Sequence, residues 1–435
     1  MLWRVLGECA NQPFGMPMSQ FFEKMLDRSL EKAKALERRY YRAAYEELRL
    51  QERWMAEVDG EKVLTAGPDP KEVRSILIFK PDEIGDAVYA LPAIAELRRH
   101  FASARISVMC KEITRTIFDR AQVVDEILSV PVRVKLRRLP VVDLKSAMAG
   151  SRTDKFDIAI FLRTYPMYFR SFLKTPASLH VHARDPRLKS GSPVQPYVQH
   201  WGEVRAHQAL QMLQIVSPLT GKHYRDSDVS FPEFHWNEDD RRALKLVFPG
   251  TLPERFGVIH PYANLQTREY PLPYLSELMD RLAQRFHLPW VVIGAASDPP
   301  LPERPYLIQA QGKLLLSQSG FLISRAAAFI GSLSGPMHWA GTLGTPTIAL
   351  NSGYSAPSEW APRSPKSLSL RMDVPCAPCH LRRCWDHDLA CLKGLTPERI
   401  LPSIESFMKG CLITPSEEAA TKSVTFLAKG SELSV

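Results

Sequence analysis

Three loops at the ends of apolar runs carry the residues that could do chemistry. KPDEIGDAVYALPAI (80–94) crowds Asp82, Glu83 and Asp86 into one turn, with Gly85 allowing the chain to turn tightly. A carboxylate at Asp86 has two readings: a helix cap that holds backbone N–H groups for about 1 kcal/mol, or a general base at the edge of a cleft. VIHPYANLQTREYPLPY (258–274) offers His260 and Arg268. A histidine in that place is either a hydrogen-bonded structural residue or a catalytic one. Arg268 is either a solvated surface residue or a bidentate phosphate ligand. In GAASDPP (294–300), Asp298 can accept from ribose hydroxyls or close an Asx-turn before proline.

A fourth stretch, FIGSLSGPMHWAGTLGTPTIAL (329–350), is punctuated by glycine and proline. The pattern predicts a strand through Ile330, a turn over 331–335, a short helix over 336–343 and a strand over 345–350. Proline suits the first turn of a helix, where its missing N–H has no partner to lose, and Gly344 suits the left-handed residue that ends one. The start of that helix presents free N–H groups and the positive end of the dipole to an anion. Finally, Cys376, Cys379, Cys384 and Cys391, four of the seven cysteines, sit in CAPCHLRRCWDHDLAC. In a reducing compartment this clustering predicts a tetrahedral thiolate site for a structural zinc or iron, with His380 or His387 able to replace one ligand. Packed, reduced thiols are the alternative.

The elements that must position these residues are strands alternating with helices. SILIF, RISVMC, DEILSV and DIAIFL read as strands, and AVYALPAIAELRRHF as an amphipathic helix despite its proline. The alternation resumes with FGVIHP, LPWVVIGAA, AAFIGS and TPTIAL, separated by helices such as YLSELMDRLAQRF. Such alternation implies parallel sheets covered on both faces, hence two Rossmann-like halves whose ligands sit at the carboxyl ends of the strands. Between the halves, a Pro-rich stretch over about 174–235 reads as loops. Before them, residues 19–58 form a charge-rich helical segment with Phe22, Met25, Leu26, Leu30, Ala33 and Leu36 at helical spacing. It is expected to dock on the body of the protein, to self-associate or to touch a membrane. GPDP at 67–70 marks its boundary.

With 435 residues the chain exceeds a single core, and its 45% hydrophobic and 24% charged content is that of a globular protein. It has no apolar run of about 20 residues. MLWRVLGECANQPFGM lacks a signal-peptide core, so a cytoplasmic protein is expected. The net charge of +9 suits a phosphorylated substrate or an anionic membrane face. Finger spacing, RNP aromatics and a basic zipper are absent, which argues against nucleic acid as a partner.

Taken together, ILIFKPDEIGDAVYALPAIAELRRHF, FIGSLSGPMHWAGTLGTPTIAL and VPCAPCHLRRCWDHDLACLKGLTPERI resemble, in order, the opening strand, donor-binding turn and cysteine-containing tail of glycosyltransferase family 9, the lipopolysaccharide heptosyltransferases. The resemblance covers roughly 74–405. It implies a GT-B fold with an acceptor half over 71–240 and a nucleotide-sugar half over 241–435 that includes 376–391, and it leaves the helical extension over 1–70 unexplained. It also implies inverting transfer without an active-site metal or cofactor, from ADP-heptose to a phosphorylated glycolipid on the cytoplasmic face of the inner membrane. On the matching positions, Asp86 would be the base, Arg268 a phosphate ligand and Asp298 a nucleoside contact. Ser334, Gly335, Pro336, Met337 and His338 would form the turn that meets the diphosphate and sugar. Many members carry Asp before that turn, where this chain has Leu333. That departure leaves room for a different sugar on O-antigen or capsule, for a protein acceptor, or for a silent nucleotide-binding or scaffolding relative.

Overall fold

The computed structural model describes residues 67–133, 141–162, 168–182, 206–248, 250, 252–413 and 423–427. The expected helical extension thus lies outside the described residues except for 67–70.

The first half is a five-stranded parallel sheet. Its elements are β1 (Ser75–Lys80), α1 (Ile84–His100), β2 (Arg105–Cys110), α2 (Glu112–Ala121), β3 (Glu126–Ser129), β4 (Phe156–Phe161), β5 (Ala177–His182) and α3 (Gln208–Ile215). Strand order is β3-β2-β1-β4-β5. Ile76 and Ile78 of β1 face one buried cluster, Leu77 and Phe79 the other. That period of two is what a sheet covered on both sides requires.

The second half repeats the plan with α4 (Glu238–Val247), β6 (Gly257–His260), α5 (Leu272–Phe286), β7 (Trp290–Val292), β8 (Leu307–Gln309), α6 (Leu316–Arg325), β9 (Ala328–Ser332), α7 (Gly335–Thr342), β10 (Thr347–Asn351), β11 (Ser367–Met372), α8 (Pro397–Ile413) and β12 (Ser423–Leu427). The order β8-β7-β6-β9-β10-β11-β12 is again wholly parallel. Both sheets therefore reverse direction beside their first strand, between β1 and β4 and between β6 and β9. Crevices at such reversals, outside the carboxyl ends, are where open α/β sheets bind ligands.

Three expectations need correction. The stretch read as loops over 174–235 contains β5 and α3, because ASLHVH pairs with β4 even though its alternation is broken by polar residues. The glycine-rich turn is shorter than its punctuation suggests: β9 runs on to Ser332 and α7 opens at Gly335, with Gly344 left-handed at φ +75°. Lastly, α1 is buried almost all round from Gly85 to Leu97 instead of being amphipathic. One side covers the first sheet; the other is covered by the second half, whose Trp339 on α7 belongs to the first half's core. Aromatic rings extend this junction, with Trp236 and Phe234 at 6.0 and 5.6 Å from Trp339.

Candidate active site

In the first half the crevice floor is a buried ion pair. Lys80, the last residue of β1, donates to Asp82 Oδ2 at 2.6 Å and to the Leu162 carbonyl beyond β4 at 2.8 Å. Both side chains are fully enclosed, so the pair clamps the two diverging strands and assigns Asp82 a structural task. Glu83 occupies the cap position of α1 without a side-chain capping bond and pairs with Lys111. Asp86 is therefore not the cap, as one reading of the sequence had it. It is the third residue of the helix, half-exposed in the first turn, where the dipole favours its charge.

In the second half, His260 ends β6 and Ser334 precedes α7. His260 Nδ1 lies 3.0 Å from Ser334 Oγ, bridging the two strands that diverge. Ser334 is the cap of α7 in extended conformation, yet its hydroxyl makes no capping bond. The first intrahelical bond runs from the His338 N–H to the Ser334 carbonyl at 3.2 Å. Pro336 has no N–H, so Gly335 and Met337 supply the donors at this end of the helix. Burial holds His260 neutral, with its pKa pushed down to about 4.

Arg268 ends a tight turn over Gln266–Arg268. That loop is fixed from three sides: Ser332 Oγ donates to the Pro261 carbonyl at 2.9 Å and accepts the Tyr270 N–H at 3.1 Å, and Thr267 Oγ1 donates to the Leu381 carbonyl at 2.5 Å. The Arg268 guanidinium stacks 3.8 Å over the Tyr354 ring. Its Nε is buried with no hydrogen-bond partner, and it makes no ion pair among the described residues. A half-buried cation held in that state is prepared for an anion that the protein itself does not provide. The solvated-surface reading of Arg268 does not hold.

Two of the predicted donor contacts turn away from the crevice. The Met337 side chain is wholly enclosed in the second half's core. His338 points into the domain junction, where its Nδ1 meets the Tyr89 hydroxyl at 2.8 Å; burial and then the Arg268 charge push its pKa down to about 3. Of the two, only Met337 has its backbone N–H in the unbonded first turn, since that of His338 is taken by the Ser334 carbonyl. Asp298 accepts the N–H of Ala295, three residues before it, at 2.7 Å, so one carboxylate oxygen is engaged within its own loop. Leu333, 5% exposed, packs in the core with Phe329 and Met337. Sequence reasoning missed Tyr354 and Tyr89. The first lies in the loop after β10, a strand end like those singled out; the second lies three residues beyond Asp86.

The cysteine segment forms a cluster apart from the crevice residues. Among the described residues, no group of three or more His, Cys, Asp and Glu side chains is placed to hold a metal ion. Cys376, Cys379, Cys384 and Cys391 are free, half-buried thiols, and burial pushes Cys379 and Cys391 up from the usual thiol range. The fold does bring the four thiols near one another, since Cys379 feels Cys376 and Cys384, and Cys391 feels all three of the others.

Two facing Rossmann-like halves, with a helix start and a stacked arginine at the reversal of one sheet and a carboxylate on the helix opposite, have the architecture of the GT-B fold. Residues 199–389 match the family model described as glycosyltransferase family 9 (heptosyltransferase), which agrees with the resemblance carried by the motifs. Among solved structures the chain is similar to the ADP-heptose LPS heptosyltransferase II of E. coli, with 19% identity and a TM-score of 0.57 over 77% of this chain and 99% of that one. A family 9 glycosyltransferase from Veillonella parvula shares 17% identity with a TM-score of 0.60, over 78% and 97%. E. coli heptosyltransferase WaaC, determined with ADP, shares 14% with a TM-score of 0.52, over 77% and 99%. No curated protein matches the chain in sequence. No helix among the described residues is long and apolar enough to cross a membrane.

Proposed function

We propose that the protein is an inverting glycosyltransferase that moves a heptose from ADP-heptose to a phosphorylated lipopolysaccharide-core acceptor. The observation that carries this reading is Arg268, stacked and unpaired beside the amide-bearing start of α7. As the bond from the anomeric carbon to the leaving diphosphate breaks, negative charge grows on the diphosphate oxygens. Preorganised donors that meet it there contribute roughly 3 to 4 kcal/mol each to the transition state. Gly335 and Met337 would supply N–H groups, Arg268 the counter-charge and Ser334 a hydroxyl steadied by His260. From the opposite half, Asp86 would take the proton of the acceptor hydroxyl as it attacks the anomeric carbon. The similar ADP-heptose heptosyltransferase II and ADP-bound heptosyltransferase WaaC lend the donor its identity, and the net charge of +9 suits an acceptor at an anionic membrane surface.

A second reading changes only the sugar. Leu333 is closed into the core, so it offers no polar contact to a donor hydroxyl, and the specificity supplied there in many members must come from elsewhere or be absent. The test of both is thermal unfolding of the full chain with ADP, UDP, GDP, CMP and ADP-heptose. A ligand at about 100 times its Kd stabilises by about 2.7 kcal/mol. Stabilisation by ADP, and more by ADP-heptose, is the expected outcome. Stabilisation by another nucleotide alone would replace the donor, and none by any of them would overturn the assignment.

A further inference from the structure

We propose that Tyr89 is a positioning residue: its hydroxyl, bonded across the domain junction to His338, sets the place of the Asp86 carboxylate against the donor helix. The inference rests on the reading of Asp86 as base given above.

The Tyr89 side chain is completely buried. Its single proton goes to the Ala361 carbonyl at 3.0 Å, so it must accept from His338, whose Nδ1 then carries the hydrogen. His207 holds the same carbonyl from the other side. Its Nε2 is 3.0 Å from Ala361 O, while its Nδ1 accepts the Ala209 N–H at 3.1 Å and starts α3. Two helices of the first half thus grip α7 and the 361 carbonyl of the second. Phenylalanine would fill the same space, packed against the rings of His207 at 4.6 Å, His338 at 4.9 Å and Trp360 at 5.9 Å. Packing alone does not require the hydroxyl, which brings a desolvation cost that these bonds offset.

The contact leaves no play around Asp86. A Cβ on Gly85 would stand 2.5 Å from His338 Cδ2, and one on Gly335 would stand 2.6 Å from Ile84 Cβ. Ile84 and Gly85 are the two residues before Asp86, and Tyr89 follows it by three, so the bond and both close approaches bracket a single turn of α1. A base must stand within hydrogen-bond reach of the proton it takes, and a displacement of about 1 Å costs about 100-fold in rate. The hydroxyl keeps that turn from sliding or rotating over α7.

The test is a double-mutant cycle of Tyr89→Phe and Asp86→Asn in the full chain. Turnover is read as ADP release from ADP-heptose with heptose-deficient lipopolysaccharide, and affinity by ADP titration. Tyr89→Phe is expected to lower kcat about ten-fold, to leave the Kd for ADP within about two-fold, and to have no further effect on the residual turnover of Asp86→Asn. An equal ten-fold loss in both backgrounds would overturn the inference, as would unchanged kcat or a matching loss of ADP affinity. Normal turnover by Asp86→Asn alone is the separate result that removes the base assignment itself.

Discussion

Two neutral histidines, His260 at the end of β6 and His338 at the junction, should make the protein acid-labile well above the pH at which its carboxylates titrate. Burial holds His260 at about 4 and His338 at about 3, against about 6.5 in an unfolded chain. A folded-state pKa below the unfolded one means that unfolding takes up protons. The contribution to stability is therefore complete above about pH 6.5 and declines as the pH falls towards the folded values. At pH 5 the unfolded state is already protonated at both positions and the folded state at neither, a loss of about 2 kcal/mol per histidine or about 4 in all. The lowered carboxylates Asp125 and Asp280 add nothing in this window, since an unfolded Asp takes its proton only near pH 4. Urea unfolding of the full chain at pH 8, 6.5 and 5 measures the loss directly. His260→Gln, whose amide does not titrate, should remove a clear part of the pH dependence at a fixed cost in stability, the remainder coming from His338 and from His180, which burial also holds below the usual imidazole range. A stability that is flat from pH 8 to 5, or an unchanged dependence in that variant, would refute the reasoning.

Other expectations concern the donor site. Arg268→Ala should weaken ADP binding about 10- to 100-fold, the cost of a hydrogen bond to a charged group, and Arg268→Lys should recover only part of it because the ammonium lacks the planar fork; calorimetric titration distinguishes the three proteins. Asp86→Asn should keep ADP affinity while turnover falls about 100- to 10,000-fold, so near-normal turnover would remove the base. Leu333→Asp should destabilise by about 3 kcal/mol or more, because the carboxylate enters the core beside Phe329 and Met337. A stable variant with improved donor affinity would instead show that the position faces the donor. Gly335→Ala should cost about 1 to 3 kcal/mol through the clash with Ile84, read as a lowered Tm with ADP affinity reduced in step.

Much of this molecule is determined by local sequence. Alternating apolar runs and helices suffice for two parallel sheets, since only covered sheets bury strands such as SILIFK along their full length. Gly344 ends α7 in the left-handed conformation for the same local reason that made it legible. Loops after strands are where chemistry is sought in such folds, which is why Arg268, Ser334 and Asp86 can be singled out by position. Tertiary structure alone decided the rest. Whether Arg268 is solvated or stacked depends on Tyr354, 86 residues away in the chain. The all-round burial of α1 depends on the second half covering its outer face, a contact with no signature in the helix's own periodicity. His338 reads as part of a donor turn and yet serves the junction, because Gly85 permits an approach that only the packed halves reveal. Cysteine spacing suggested that four thiols could gather, and it is the path of the intervening loop that brings Cys376, Cys379, Cys384 and Cys391 within reach of one another. Periodicity and turn chemistry act over a few residues; the partners of a buried charge are chosen by the whole chain.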